Sequence, residues 1–385
     1  MDDRKTWMEE GDEPDIQVTE YDITSTPNDF NVLTISSFLD AGSIILPPYQ
    51  RNYIWDKARA SKLIESLILG LPVPQLFLYE EAKNRFAILD GQQRLLSIYF
   101  FMKKRFPRKT QRMTLRDIFA EAGGFPERVL ADNKYFQPFS VHLPAVGGED
   151  RSPLHGLNYD TLQEHHRRAF DLRPMRCVII KQNEPKDDNS SVYEIFDRLN
   201  TGGVNLKPQE IRANLYYSDF YKFLYDTNKD PRWRRILGQN DRDEKLRDVE
   251  LLLRAFAMLC FADEYRPSMT RFLNRFSNHA KKTFNDELIA KLQRIFEAFL
   301  SSSSSIDPAA FKISDRFSIA VFEAALYGKF IETWRGNMAE SAMYPFTEEE
   351  LDRLSQSLRP QLQEGTSKRE HVKRRLEIAT DIFRR

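Results

Sequence analysis

The chain has 385 residues, 41% hydrophobic and 30% charged, which suits the packed core of two domains, or of one large domain with a helical extension, and excludes wholesale disorder. Its 57 basic and 57 acidic residues cancel, which argues against a constitutive charge-driven nucleic-acid coat but leaves room for a local basic patch. Only two cysteines occur, Cys177 and Cys260, far apart in apolar runs; they read as free thiols, not as a disulfide framework or a zinc site.

In chain order, residues 1–28 are polar and acid-rich and read as a flexible arm. Ile44-Ile45-Leu46 reads as a short strand stopped by Pro47-Pro48. The prolines lead into Pro48-Tyr49-Gln50-Arg51-Asn52-Tyr53-Ile54-Trp55, with an arginine, two amides and three aromatics. Aromatic faces there can stack a nucleobase and Arg51 can meet a phosphate, or Tyr53 and Trp55 can simply anchor the next helix in the core. Leu63, Ile64, Leu67 and Ile68 give a helical stripe ended by Gly70 and Pro72. A strand is expected over 75–79, and a second, fully buried one at Phe86-Ala87-Ile88-Leu89.

That second strand runs into Asp90-Gly91-Gln92-Gln93-Arg94, after which Leu95, Leu96, Ile98, Tyr99 and Met102 recur at helical spacing. A strand-to-helix junction of this kind sets a glycine, two amides and a guanidinium around the positive end of a helix, a seat for phosphate. Gly91 would let the backbone approach closely, and Arg94 could clamp a phosphate with two parallel hydrogen bonds. Equally, Asp90 could cap the helix while Arg94 forms a surface ion pair.

Residues 107–170 are irregular, with Gly123-Gly124, Gly147-Gly148 and several prolines, and read as an elaborated insertion before a strand at 176–181. From about 190 onward the pattern is helical, near 191–199, 208–226, 246–262, 268–280, 284–300, 315–335 and 347–383, with Ser301–Ser305 as a flexible joint. Phe196-Asp197-Arg198-Leu199-Asn200-Thr201-Gly202-Gly203 ends one helix in a polar loop, and Pro208 opens the next. Paired glycines there could cradle an anion, or the loop is an ordinary helix-loop-helix corner, with Glu210 compensating the helix dipole. The richest apolar run, 251–262, is too short to span a membrane, so a cytoplasmic chain without a membrane partner is expected.

Pro-x-Tyr-Gln-Arg-x-Tyr-x-Trp, Leu69-Gly70-Leu71-Pro72-Val73-Pro74, Asp-Gly-Gln-Gln-Arg and Arg-Leu-Asn-Thr-Gly-Gly follow one another in a specific order. With these motifs the chain resembles the N-terminal domain of GmrSD-type modification-dependent restriction enzymes, over roughly residues 30–280, and Arg271-Phe272-Leu273-Asn274 is similar to that family too. The resemblance implies an α+β fold: a small mixed-sheet ParB/sulfiredoxin-like nucleotide-binding domain over 29–185, followed by a mainly helical domain over 186–385. It also implies binding and hydrolysis of a nucleoside triphosphate, with Mg²⁺ as the expected divalent cation and no dedicated protein metal site. Carried over, Asp90, Gln93 and Arg94 are the expected catalytic residues, beside Gly91 and Gln92. Tyr49, Gln50, Arg51, Asn200, Thr201, Gly202 and Gly203 are the further binding residues. A non-catalytic ParB-like module that binds nucleotide and grips DNA or protein is the alternative.

The sequence holds no Walker P-loop, so triphosphate chemistry would be of another kind. Many relatives carry an HNH nuclease domain; here His279 and His371 have no convincing partner set, so a nuclease partner protein, with DNA as a further possible partner, is expected. His165-His166 read as a solvated helix face. Lys103, Lys104, Arg105, Arg108, Lys109, Arg112 and Arg116 cluster after the pentad helix; they could meet DNA phosphates or form a solvated face.

Overall fold

The computed structural model describes residues 22–45, 53–122, 124–143, 152–184, 195, 207–243, 245–336, 344–362 and 367–384. The class is α+β, as expected: a five-stranded mixed sheet with helices, and a helical region after it. The chain divides into two compact units, one over Glu20–Leu215 and one built from Tyr216 onward.

The first unit is organised by strands β1 (Asp22–Asn31), β2 (Ile44–Ile45), β3 (Leu76–Ala82) and β4 (Arg85–Asp90) and by β7 (Pro174–Glu184), in the order β1-β7-β3-β4-β2. Short strands β5 (Arg105–Pro107) and β6 (Phe136–Pro138) form a separate antiparallel pair. β3 and β4 are antiparallel, and β4 lies parallel to β2, so the apolar run 86–89 is a flanked, interior strand. Helices α1 (Val32–Asp40), α2 (Lys57–Leu69) and α3 (Gln92–Met102) pack on it. Asn31 caps α1 by accepting from Thr34 N at 2.7 Å, and Asp56 caps α2 by accepting from Arg59 N at 2.7 Å. The predicted stop of α2 is real: Gly70 takes the left-handed C-cap, and Arg173 donates to the Leu67 carbonyl beside it at 2.9 Å.

Three expectations are corrected. Residues 22–28 of the acidic arm belong to β1, which pairs antiparallel with β7 along its length. The stretch 107–170, expected to be irregular, carries regular elements. It contains helices α4 (Arg112–Ala122), α5 (Glu127–Ala131) and α6 (Glu164–Asp171), and it supplies Phe136, Phe139, Leu143 and Phe170 to the core of this unit. Its rings interlock edge to face, Phe136 on Phe100 and Phe139 on both Phe101 and Phe106, which is where much of the phenylalanine goes. The residues of the 191–199 helix lie outside the described set, apart from residue 195.

After α7 (Pro208–Leu215), the second unit contains α8 (Asp219–Asn228), α9 (Pro231–Leu237), α10 (Arg247–Phe261), α11 (Met269–Thr283), α12 (Asp286–Ser302), α13 (Ile319–Arg335), α14 (Glu348–Leu358) and α15 (Arg369–Phe383). The segments expected at 208–226 and 347–383 are each two helices. α13 packs on α10 and α15, and Gly328 allows the closest approach, since a Cβ there would lie 2.6 Å from the Ala379 backbone. Two of its buried guanidinia meet carboxylates, Arg254 with Glu323 at 2.6 Å and Arg234 with Asp248 at 2.8 Å. The serine run is the third correction. Ser303 is buried and bonds back to the Phe299 carbonyl, and Arg235 grips the Ser303 and Ser304 carbonyls, so it is a fixed helix end.

Candidate functional site

The pentad sits where the sequence placed it. Asp90 ends β4, Gly91 is the N-cap of α3 with φ of 99°, and Gln92, Gln93 and Arg94 form the first turn. No side chain caps this helix through its N-cap residue. Asp90 does not cap it either; its carboxylate accepts from Arg94 Nη2 at 2.6 Å. The ion pair of the plain structural reading is therefore present, with one difference. The Arg94 side chain is only 11% exposed, against 41% for Asp90.

The reason is Gly91. A Cβ on this residue would lie 2.2 Å from Leu76 Cδ2 and 3.0 Å from Arg94 Nη2. The glycine is needed for positive φ and for room, and that room is taken by the guanidinium folded back over the turn. A phosphate at the elbow would thus meet Arg94 before it met the glycine backbone. One of the guanidinium nitrogens is committed to Asp90, and the rest have no hydrogen-bond partner among the described residues.

Gln93 holds a different neighbour. Its Oε1 accepts from Ile54 N at 2.9 Å and from Trp55 N at 3.3 Å. The first turn of α3 is thereby tied to the end of the Pro-Tyr-Gln-Arg motif. Tyr53 is buried, edge-on to Phe100 and Phe106, with its hydroxyl 2.8 Å from Ser97 Oγ. Burial pushes its phenol well above the ordinary value. Tyr53 is therefore a core anchor and offers no face for stacking. Trp55 is partly buried and carries the Arg59 guanidinium 4.6 Å over its ring. Tyr49, Gln50 and Arg51, like Asn200, Thr201, Gly202 and Gly203, lie outside the described residues. Of the candidate set the structure brings together Asp90, Gly91, Gln92, Gln93 and Arg94.

The basic run after α3 is largely spent inside the unit. Lys103 pairs with Asp40 and Lys104 with Asp160; Arg105 binds the carbonyls of Leu130 and Ala131, and Arg108 that of Asn133. Arg112 turns back to the elbow, donating to the Trp55 carbonyl at 2.8 Å with its guanidinium 5.4 Å over the Tyr53 ring. Arg112 was not singled out as a site residue in the sequence, where it is one cation among seven.

Among the described residues no group of three or more His, Cys, Asp or Glu could hold a metal ion, and Asp90 is the carboxylate of the elbow. A magnesium ion there would rest chiefly on phosphate oxygens, the usual manner for this cation. His165 and His166 place their rings 3.9 Å apart without a third ligand among the described residues, and His279 stacks on Phe261 at 5.1 Å. In the second unit a groove of about 450 Å³ between α8 and α12 is lined by Asp219, Asp226, Asp230, Asp286 and Glu297. Its acidic wall suits a polyphosphate poorly.

Residues 35–217 match the family described as GmrSD restriction endonuclease, N-terminal domain. This segment is similar to the GmrSD N-terminal domain. Over 267 aligned residues the chain is also 24% identical to the uncharacterized protein MJ0686 of Methanocaldococcus jannaschii, covering 55% of this chain and 44% of that protein. The chain thus spans less than half the length of this curated relative. The GmrSD match contains the whole elbow, the Tyr53–Trp55 segment and α4. Among the described residues, no helix is long and apolar enough to cross a membrane.

Proposed function

We propose that this GmrSD-type domain binds the polyphosphate of a nucleoside triphosphate at the β4–α3 elbow and hydrolyses it. In this reading the chain serves a restriction system directed at foreign DNA as its regulatory or sensing component, acting with a nuclease partner. The observation that carries the reading is the Arg94 guanidinium. It is mostly buried, folded onto the start of an eleven-residue helix, and committed through one nitrogen only. Such a group, fixed in a helix's positive field with donors to spare, is preorganised for an anion.

The roles follow from chemistry. Arg94 and the start of α3 hold phosphate oxygens, and Asp90 orients Arg94 through their 2.6 Å bond. Gln93 positions the Ile54–Trp55 backbone beside the elbow. A bound Mg²⁺ would offset the charge of the phosphate oxygens, with Asp90 as its available carboxylate. The non-catalytic alternative has one observation in its favour: Gln93 Oε1 is already engaged by two backbone N–H groups, which leaves it poorly placed to orient a water.

Titration of the four nucleoside triphosphates with and without Mg²⁺ tests the reading. Wild type is expected to bind at least one of them, and Arg94→Ala to bind at least tenfold more weakly. Absence of binding to all four would sink the proposal. Binding with no phosphate release would select the non-catalytic alternative.

A further inference from the structure

α4 carries a second arginine on the side that faces the elbow. Arg112 reaches the Trp55 carbonyl, and the Trp55 N–H in turn reaches Gln93 Oε1, so α4 is linked to the first turn of α3 through a single residue. Arg116 follows Arg112 by four residues and shares its helix face. Helical side chains lean toward the N-terminus, which carries the Arg116 stem back toward Arg112 and Trp55.

Arg116 is 7% exposed, and its Nε and Nη1 are buried with no hydrogen-bond partner among the described residues. It forms no ion pair among the described residues. Buried Arg234 and Arg254 of the second unit, by contrast, meet the carboxylates of Asp248 and Glu323. An arginine cannot escape burial by losing its proton, and an unmatched buried guanidinium is strongly unfavourable. A counter-charge from outside the described residues would relieve that burial.

We infer that Arg116 is a second clamp for the polyphosphate, taking phosphate oxygens on the Trp55 side of the ligand held by Arg94. This rests on the proposed function: the elbow supplies one end of the anion site and α4 the other. A polyphosphate fits because it is long enough to meet two guanidinia and has an anionic oxygen for each. A triphosphate tail therefore defines the ligand class more closely than a single phosphate would.

The test uses the full chain, inorganic tripolyphosphate and ATP as probes, and the variants Arg116→Met, Arg116→Lys and Arg94→Ala, with calorimetric titration and thermal melting. Arg116→Met is expected to weaken tripolyphosphate binding at least tenfold, and Arg116→Lys to retain part of it. Unliganded Arg116→Met is expected to melt at or above the wild-type temperature, since an unmatched buried charge has been removed. A merely structural arginine would behave in the opposite way, so an unliganded Arg116→Met that melts well below wild type overturns the inference. So does undiminished tripolyphosphate binding by Arg116→Met. If Arg94→Ala loses binding while Arg116→Met keeps it, the elbow stands and only the second clamp fails. If wild type binds neither probe, both fall.

Discussion

Gly91→Ala gives the most direct measure of how tightly the elbow is built. Two costs can be separated. The first is conformational: alanine at φ of 99° loses roughly 1–2 kcal/mol against glycine. The second is steric. The new methyl would lie 2.2 Å from Leu76 Cδ2, and Leu76 is fully buried in the sheet core, so the leucine cannot swing into solvent. Overpacking of this kind costs about 1–3 kcal/mol. The sum, about 2–5 kcal/mol, lowers the melting temperature of the first unit by roughly 5–15 °C. Gly42→Ala is the matched control: φ is 68°, but nothing lies within 4 Å of the added carbon, so only the conformational cost applies. Urea and thermal denaturation followed by circular dichroism would compare the two variants. Equal losses in Gly91→Ala and Gly42→Ala would refute the argument that Leu76 and the guanidinium wall in the turn.

Three further outcomes are expected. Tyr53→Phe and Ser97→Ala each remove the 2.8 Å hydroxyl pair and should cost about 1 kcal/mol, with the double variant costing little more than either alone, as read by a double-mutant cycle in urea. In the second unit, hydrogen bonds from Arg232 hold Asp230 and Glu297 below their ordinary values of 3.8 and 4.5, so the stability they add is complete above those values and is lost as falling pH titrates each group through its lower folded pKa. Glu297→Gln should flatten that acid limb, measured as denaturation midpoint against pH; an unchanged slope would discount the fork. Cys177 is fully buried and burial pushes its thiol up to about 12, so an aromatic disulfide reagent at pH 8 should label it only after unfolding, as counted by mass spectrometry.

The interior of the first unit is legible in the sequence because its apolar runs are local. The run 86–89 and the stripe through Leu63, Ile64, Leu67 and Ile68 each declare their element and their buried face. β1 is hidden for the opposite reason. Asp22–Asn31 is polar, contains Pro27 and lies at the sheet margin, so only its partner β7 makes it a strand. The stretch 107–170 conceals its contribution because Phe136 and Phe139 lie among turn residues, and Phe100, Phe101 and Phe106, which they meet, are more than thirty positions away. At the elbow, residue order alone located the strand, the left-handed glycine and the helix. It did not reveal that Arg94 lies over Gly91 or that Gln93 binds the Ile54–Trp55 backbone, since both depend on how separate segments meet. Arg116 was least legible of all. One cation in a run of seven looks solvated, and only the packing of α4 shows its burial.

The bond from Gln93 to two amides of the preceding segment changes how variants at that position must be interpreted. Gln93→Ala would strip Ile54 and Trp55 of their acceptor and so loosen the tether, whatever the residue does to substrate. Gln93→Glu keeps an oxygen in the same place for both donors. A loss of turnover seen in the alanine variant and not in the glutamate variant reports on scaffolding; a loss shared by both, with affinity intact, assigns the amide nitrogen a part in the chemistry.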